Sequence, residues 1–138
     1  MNTKQLGLLG ELKAQYDFIK AGWDVAIPLG DYCSYDFLAI KNNKTLKIQV
    51  KTTEKIQNGV IIFSVNSRNY YSNKVYTKDI CDYFYLYCLE NETGYLYPTS
   101  KFHSSHIRIR IDSPRNNMQK MINFAKDFEF FNKIHTLQ

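Results

Sequence analysis

The sequence contains no long apolar run and little cysteine, proline or glycine. No apolar stretch approaches the roughly 20 residues that a membrane-spanning helix requires, so we expect no membrane segment. The first residues lack the basic start, apolar stretch and cleavage site of a secretory signal, which predicts an intracellular protein, cytoplasmic or nucleoid-associated. None of the 3 cysteines stands in a CxxC pair, and an odd number leaves one unpaired in any disulfide scheme. Reduced cysteines are therefore expected.

Linkers rich in proline, glycine or serine and internal repeats are also lacking in the 138 residues. We therefore predict a single domain over residues 1–138. The hydrophobic fraction of 44% and the aromatic fraction of 15% argue against disorder. The formal net charge of +5 favours a polyanionic partner but is too small to identify one.

Hydrophobic periodicity predicts a helix, then a series of short strands, then a closing helix. The first helix is capped by Thr3 and stops at Gly22. Its apolar residues at helical spacing, Leu9, Leu12, Tyr16 and Ile19, are expected to face the core. The closing helix begins at Ser113 and Pro114. Its predicted buried face comprises Met118, Met121, Ile122, Ala125 and Phe128.

Strands are predicted over residues 23–28, 35–40, 45–53, 60–65, 83–89, 94–97 and 107–111. Turns are predicted at residues 41–44, at Asn58-Gly59 and at residues 91–93. Residues 66–78 lack a regular pattern, and we predict a long loop there.

The strand that contains Gln49 and Lys51 carries the chemically informative residues. Because side chains alternate along a strand, Gln49 and Lys51 share one face, roughly 7 Å apart. A tight hairpin at residues 41–44 would bring Asp36 beside them on the neighbouring antiparallel strand. One carboxylate, one amide oxygen and one ammonium group are thus predicted to converge.

These groups suit the hydrolysis of a phosphodiester bond. Such a reaction needs a site for a hard cation, a means of orienting water and positive charge near the scissile phosphate. Asp36 is expected to bind Mg²⁺, with the Gln49 side chain or the Val50 backbone oxygen completing the protein ligands. Lys51 would position water or stabilise the phosphate, and Glu11 on the first helix would add a second carboxylate.

Four short segments taken together resemble the active-site signature of PD-(D/E)XK nucleases, in both order and spacing. These segments are Gly7-x-x-Gly10-Glu11, Gly22-Trp23, Tyr35-Asp36 and Ile48-Gln49-Val50 followed by Lys51-Thr52. The resemblance covers about the first half of the chain and is closest to the group I intron homing endonucleases of this class. It implies an α/β fold with a central mixed β-sheet flanked by helices.

The resemblance also implies a role for each matching residue. Glu11 corresponds to the family's helix glutamate, Asp36 to its metal-binding aspartate, Gln49 to its second metal-ligand position and Lys51 to its catalytic lysine. The usual carboxylate at the second ligand position is the amide of Gln49 here, which removes a negative charge and leaves the number of metal ions open.

The function implied is site-specific cleavage of double-stranded DNA with Mg²⁺, or Mn²⁺ in its place, of the intron-homing type. Because one small chain supplies one catalytic centre, cutting both strands predicts a homodimer or homotetramer. Two alternatives stay open: a structure-selective Holliday-junction resolvase, and a catalytically inactive DNA-binding module on the same fold.

Two further segments have the composition of DNA-contacting surfaces, and both are equally compatible with ordinary solvated surface. The first is the polar loop and the second is the last strand, in which two arginines alternate with isoleucines. The residues expected to contact nucleic acid are Arg68, Tyr70, Lys74, Lys78, Arg108 and Arg110. His103 and His106 have the spacing of a metal pair, but we interpret them as surface residues.

Overall fold

The computed structural model describes residues 1–65, 80–103, 105–112 and 122–137. Within these ranges, no helix is long and apolar enough to cross a membrane. The elements in chain order are α1 (Thr3–Lys20), β1 (Asp24–Ala26), β2 (Phe37–Lys41), β3 (Lys44–Thr53), β4 (Val60–Ser64), β5 (Tyr83–Cys88), β6 (Thr93–Pro98), β7 (His106–Arg110), α2 (Ala125–Phe128) and α3 (Phe130–Ile134). Single 3-10 turns follow β6 and α3, at Thr99–Lys101 and His135–Leu137.

The central sheet has five strands in the order β1-β2-β3-β5-β6. Strands β3 and β5 run parallel, while the other neighbouring pairs are antiparallel, so the sheet is mixed. Strands β4 and β7 form a separate antiparallel pair. The predicted α/β fold with a central mixed sheet is confirmed.

The two faces of the central sheet are covered by different elements. On one face, Phe18 of α1 packs among residues that include Ile48 of β3 and Phe130 of α3. On the other face, Phe84 of β5 packs with apolar residues of β4 and β7, such as Ile61. The buried residues Ile48 and Val50 of β3 therefore face α1, and the residues that alternate with them point to the opposite side of the sheet.

Two tight turns predicted from asparagine are present. Asn42 and Asn43 both have positive φ values, 51° and 64°, and join the paired residues Lys41 and Lys44. This is the backbone of the hairpin turns that match strand twist. Asn58 and Gly59 likewise have positive φ and close the turn before β4.

The cap and the buried face of α1 differ from the prediction. Asn2, not Thr3, is the N-cap, because its side chain accepts from the Gln5 N–H while the Gln5 side chain accepts from the Asn2 N–H. The predicted core face was wrong: Leu9, Leu12, Tyr16 and Ile19 are exposed. The buried residues of α1 are Gly10, Ala14, Asp17 and Phe18. Gly10 and Ala14 are small, which lets the helix approach the sheet closely.

The predicted strands are present with boundaries shifted by at most two residues, β1 being the shortest relative to its prediction. The closing helix is only partly confirmed. Residues 122–124 are not helical, because the Arg110 N–H donates to the Asn123 carbonyl and holds this segment beside β7; α2 starts at Ala125. The predicted loop at residues 66–78, and the part of the closing helix at residues 113–121, lie outside the described residues.

Candidate active site

The candidate site lies beside β3, at the point where β2 begins. The pairing of β2 with β3 begins at Phe37 and Ile48, whereas β3 continues to Thr53. Asp36 immediately precedes β2, and its N–H donates to the Ile48 carbonyl at 2.8 Å. Its carboxylate oxygen Oδ2 accepts from the Val50 N–H at 2.7 Å. The Asp36 carboxylate is thus held in place against the edge of β3.

Gln49 and Lys51 project from the face of β3 opposite α1. The intervening residues Ile48 and Val50 are buried on the α1 side of the sheet, so strand alternation places Gln49 and Lys51 on the other side. Both side chains are half-buried. The predicted convergence of Asp36 and Lys51 is supported by the electrostatic effect of each on the other's pKa.

Glu11 reaches the same region from α1. Burial raises the pKa of the Glu11 carboxyl above its ordinary value, and the negative charge of Asp36 raises it further by a smaller amount. Glu11 is half-buried, and its helix contacts β3 at Gly10 and Thr52. Glu11 is therefore close enough to Asp36 for the two carboxylates to interact electrostatically, and its role at the site stays a prediction.

The ionisable groups of the site are poorly solvated, which disfavours their charged forms. Burial raises the pKa of Asp36, although the Val50 N–H and the Lys51 ammonium oppose that shift. Burial likewise lowers the pKa of Lys51, opposed by the charge of Asp36. The free protein thus holds two poorly solvated carboxylates, and the positive charge of Lys51 only partly offsets the effect of burial on Asp36.

The oxygen atoms around this site suit a hard divalent cation. Two carboxylates with raised pKa values would be relieved of their mutual repulsion by such an ion. The Val50 carbonyl points to the same side as the Val50 N–H, because the two groups of a strand residue share a direction. Among the described residues, no group of three or more His, Cys, Asp or Glu side chains can hold a metal. A divalent ion at this site would therefore need oxygen ligands besides these side chains.

Cys81 is a neighbour of the site that sequence patterns do not indicate. Its thiol is fully buried before β5 and lies near the Thr99 hydroxyl. Burial raises the pKa of this thiol to about 11, while Lys51 lowers it to a lesser extent. Cys81 is therefore a neutral group at physiological pH. No sequence signal relates it to Asp36, because only the parallel pairing of β3 with β5 brings the two together.

The expected DNA-contacting residues are only partly within the described ranges. Arg108 and Arg110 lie on β7 and alternate with buried Ile107 and Ile109, so both arginines share the outer face of the β4–β7 pair, as predicted. Arg68, Tyr70, Lys74 and Lys78 lie outside the described residues.

The surface position predicted for both histidines holds for His103 but not for His106, which belongs to strand β7. His103 is exposed and His106 is half-buried at the start of β7. All 3 cysteines are free thiols, Cys33 half-buried and both Cys81 and Cys88 buried.

The chain belongs to the PD-(D/E)XK endonuclease family, whose sequence model matches residues 1–131. The structure is similar to that of the bacterial homing endonuclease I-Ssp6803I, with a TM-score of 0.74 and 24% identity over 99% of this chain and 92% of the other. A comparison with the Holliday-junction resolvase Hjc of Archaeoglobus fulgidus gives a TM-score of 0.48 and 17% identity. It covers 75% of this chain and 83% of the resolvase chain. No curated protein sequence matches the chain.

Proposed function

We propose that the protein is a site-specific endonuclease that hydrolyses double-stranded DNA with Mg²⁺, of the intron-homing type. The observation that carries this proposal is the Asp36 carboxylate, fixed by the Val50 N–H at the edge of β3 and electrostatically coupled to both Lys51 and Glu11. Family membership supports nuclease chemistry. The name of the similar bacterial structure supports the homing type only as an analogy, since the likeness itself concerns the fold.

The roles of the residues follow from their positions. Asp36, Glu11, the Gln49 amide oxygen and the Val50 carbonyl would hold the ion, which supplies Lewis acidity and lowers the pKa of water. The Val50 N–H keeps the Asp36 carboxylate oriented while its second oxygen stays available. Lys51 supplies positive charge where the phosphate becomes more negative during attack. Mn²⁺ is expected to substitute because it accepts the same oxygen ligands.

The experiment that tests this function is cleavage of a random-sequence duplex pool by purified protein with Mg²⁺, with the ends sequenced and Lys51→Met as the matched inactive control. Ends clustered at one long motif, and absent with Lys51→Met, are expected. A four-way junction belongs in the same assay, because its preferential cleavage over every linear duplex would identify a junction resolvase instead. DNA binding without cleavage in Mg²⁺ or Mn²⁺ would indicate an inactive module, the alternative that the missing charge at Gln49 favours.

Cleavage of both strands requires a second catalytic centre, and the outward face of α1 is the surface we propose for self-association. We define this outward face by Leu8, Leu12, Tyr16 and Ile19, each more than half exposed. Gln5, Leu12 and Ile19 recur every seven residues, with Leu8 and Gln15 between them. This uncharged seam is typical of helix pairing, and a second copy offers the same seam in return. Lys13 and Lys20 flank this face, with their ammonium groups 5.4 Å and 5.9 Å from the centre of the Tyr16 ring.

Leu12→Glu is expected to convert the protein to a monomer, because it places two like charges in the middle of a symmetric apolar interface. Sedimentation velocity would then give the mass of one chain, against two or four for the unmodified protein. Duplex cleavage should change from double-strand breaks to nicks. Leu29→Glu is the matched control, since Leu29 is fully exposed away from α1. An unchanged mass for Leu12→Glu would place the interface elsewhere.

A further inference from the structure

Helix α1 touches β3 most closely at Gly10. A Cβ atom at this position would lie well inside the van der Waals radius of the Thr52 hydroxyl, and 3.1 Å and 3.3 Å from the Thr52 Cβ and Cγ2. Thr52 is part of β3 and pairs there with Tyr87 of β5, whereas β2 pairs only with residues 44–48 of β3. A larger residue at position 10 has to displace the Thr52 side chain or the helix, and rotation of that side chain leaves the contact with the Thr52 Cβ atom, which the β3 backbone fixes, so we expect the helix to move.

The second helix glycine has a different environment. A Cβ atom at Gly7 would meet nothing within 4 Å, although Gly7 is one turn before Gly10 on the same helix. Glycine is unfavourable in a helix interior, since it lacks a side chain and has greater freedom in the unfolded chain. The close contact with Thr52 explains a glycine at position 10, whereas packing explains nothing at position 7.

A second contact fixes α1 about two turns further along. The hydroxyl of Tyr85 on β5 donates to the carboxylate of Asp17, which is 1% exposed. Lys13 forms an ion pair with the other oxygen of Asp17 at 2.7 Å. Because Asp17 is anchored to β5, a side chain at Gly10 would tilt α1 about this anchor and lift its first half from β3.

We infer that Gly10 and Thr52 form a positioning pair whose close contact places the Glu11 carboxylate beside Asp36. Glu11 follows Gly10 directly, so any distance gained between α1 and β3 at Gly10 is also gained by Glu11. This inference depends on the proposed function for its effect on cleavage, but not for its effect on geometry. Gly10 and Thr52 contact neither DNA nor ion in this scheme and act through Glu11.

Gly10→Ala is expected to lower the rate of DNA cleavage about 100-fold, since a misplacement of about 1 Å has an effect of that size. Gly7→Ala, the matched control, should keep the wild-type rate and unfold at equal or higher denaturant concentration. Adding Thr52→Ala to Gly10→Ala removes the hydroxyl and the methyl group that the new Cβ meets and leaves one contact at 3.1 Å. This double variant should recover at least tenfold of the lost rate.

A double-mutant cycle with Glu11→Gln separates positioning from general damage to the fold. If Gly10 acts through Glu11, Gly10→Ala should change the rate less than twofold once Glu11 is glutamine. An equal loss in both backgrounds would overturn the inference. Should Gly10→Ala fail to fold, the same cycle is made with Gly10→Ala/Thr52→Ala, for which a loss independent of Glu11 has the same meaning.

The geometry is tested without cleavage by a crystal structure of Gly10→Ala. We expect α1 to be lifted from β3 at position 10 and the Glu11 carboxylate to lie farther from Asp36. An unmoved Glu11 would overturn the positioning role even if cleavage were lost. Conversely, a displaced Glu11 in a protein that never cleaves DNA would support the positioning role and contradict the proposed function.

Discussion

Lys51→Met is expected to lower the rate of DNA cleavage about 10³-fold while DNA affinity changes less than tenfold. The large effect on rate follows because removal of one preorganised group that stabilises developing negative charge has an effect of about 10²–10³. The small effect on affinity follows because one cation among several phosphate contacts contributes only a fraction of binding. Methionine keeps most of the aliphatic stem of Lys51, so packing against β5 is largely preserved.

Lys47→Met is the control for this variant. Lys47 lies on the same face of β3, four residues before Lys51, and its ammonium sits 5.8 Å from the centre of the Tyr35 ring. We expect this change to leave the single-turnover rate within a few-fold of wild type, because Lys51 is the lysine whose charge acts on the pKa of Asp36. Single-turnover cleavage with saturating protein measures the rate, and fluorescence anisotropy without Mg²⁺ measures affinity. Retained turnover in Lys51→Met would refute the role assigned to Lys51.

The position of Asp36 beside Lys51 was predictable because it depends on local rules. Strand alternation placed Gln49 with Lys51, and the Asn42-Asn43 turn fixed the hairpin that returns the chain. These inferences extend over fewer than 20 residues of sequence. Gly10 and Glu11 were recognised by resemblance to a family, since no local rule indicates which side of a helix carries an active-site residue.

The orientation of α1 was not predictable from periodicity. Its sequence has one stripe of large apolar residues and an opposite stripe that combines Gly10, Ala14 and Phe18 with the charged Asp17. Periodicity identifies an apolar stripe but does not say whether the core or another molecule covers it. Burial of Asp17 depends on Tyr85, 68 residues later, which only the fold reveals. The exposed stripe is the evidence for our proposed self-association surface.

Contacts between strands that are distant in sequence were the other feature that could not be predicted from the sequence. Cys81 and Thr99 come next to the site only because β5 pairs in parallel with β3 and antiparallel with β6. Parallel pairing requires a long crossover connection, and the sequence does not show which two strands such a connection brings side by side. The β4–β7 pair was predicted as two strands, but their pairing across 42 or more residues of sequence was not.

Asp36→Asn is expected to abolish Mg²⁺-dependent cleavage and at the same time to stabilise the metal-free protein by on the order of 1 kcal/mol. Asparagine keeps an oxygen that accepts from the Val50 N–H but removes a poorly solvated charge that repels Glu11. Because the pKa of Asp36 is raised in the folded protein, ionisation weakens folding as pH rises. The stabilisation should therefore be complete above the raised pKa and vanish below the ordinary value of 3.8, where both states are protonated.

Thermal unfolding of the protein without DNA measures both halves of this prediction. Mg²⁺ at ten times its dissociation constant should stabilise the wild type by about 1.4 kcal/mol. The Asp36→Asn variant should begin at a higher melting temperature and gain little from Mg²⁺, because a charged ligand of the ion is lost. Asp31→Asn makes the same chemical change in the exposed stretch before Asp36 and should alter neither value. If Asp36→Asn is destabilised without metal and still responds fully to Mg²⁺, the Asp36 carboxylate serves the fold and not the ion.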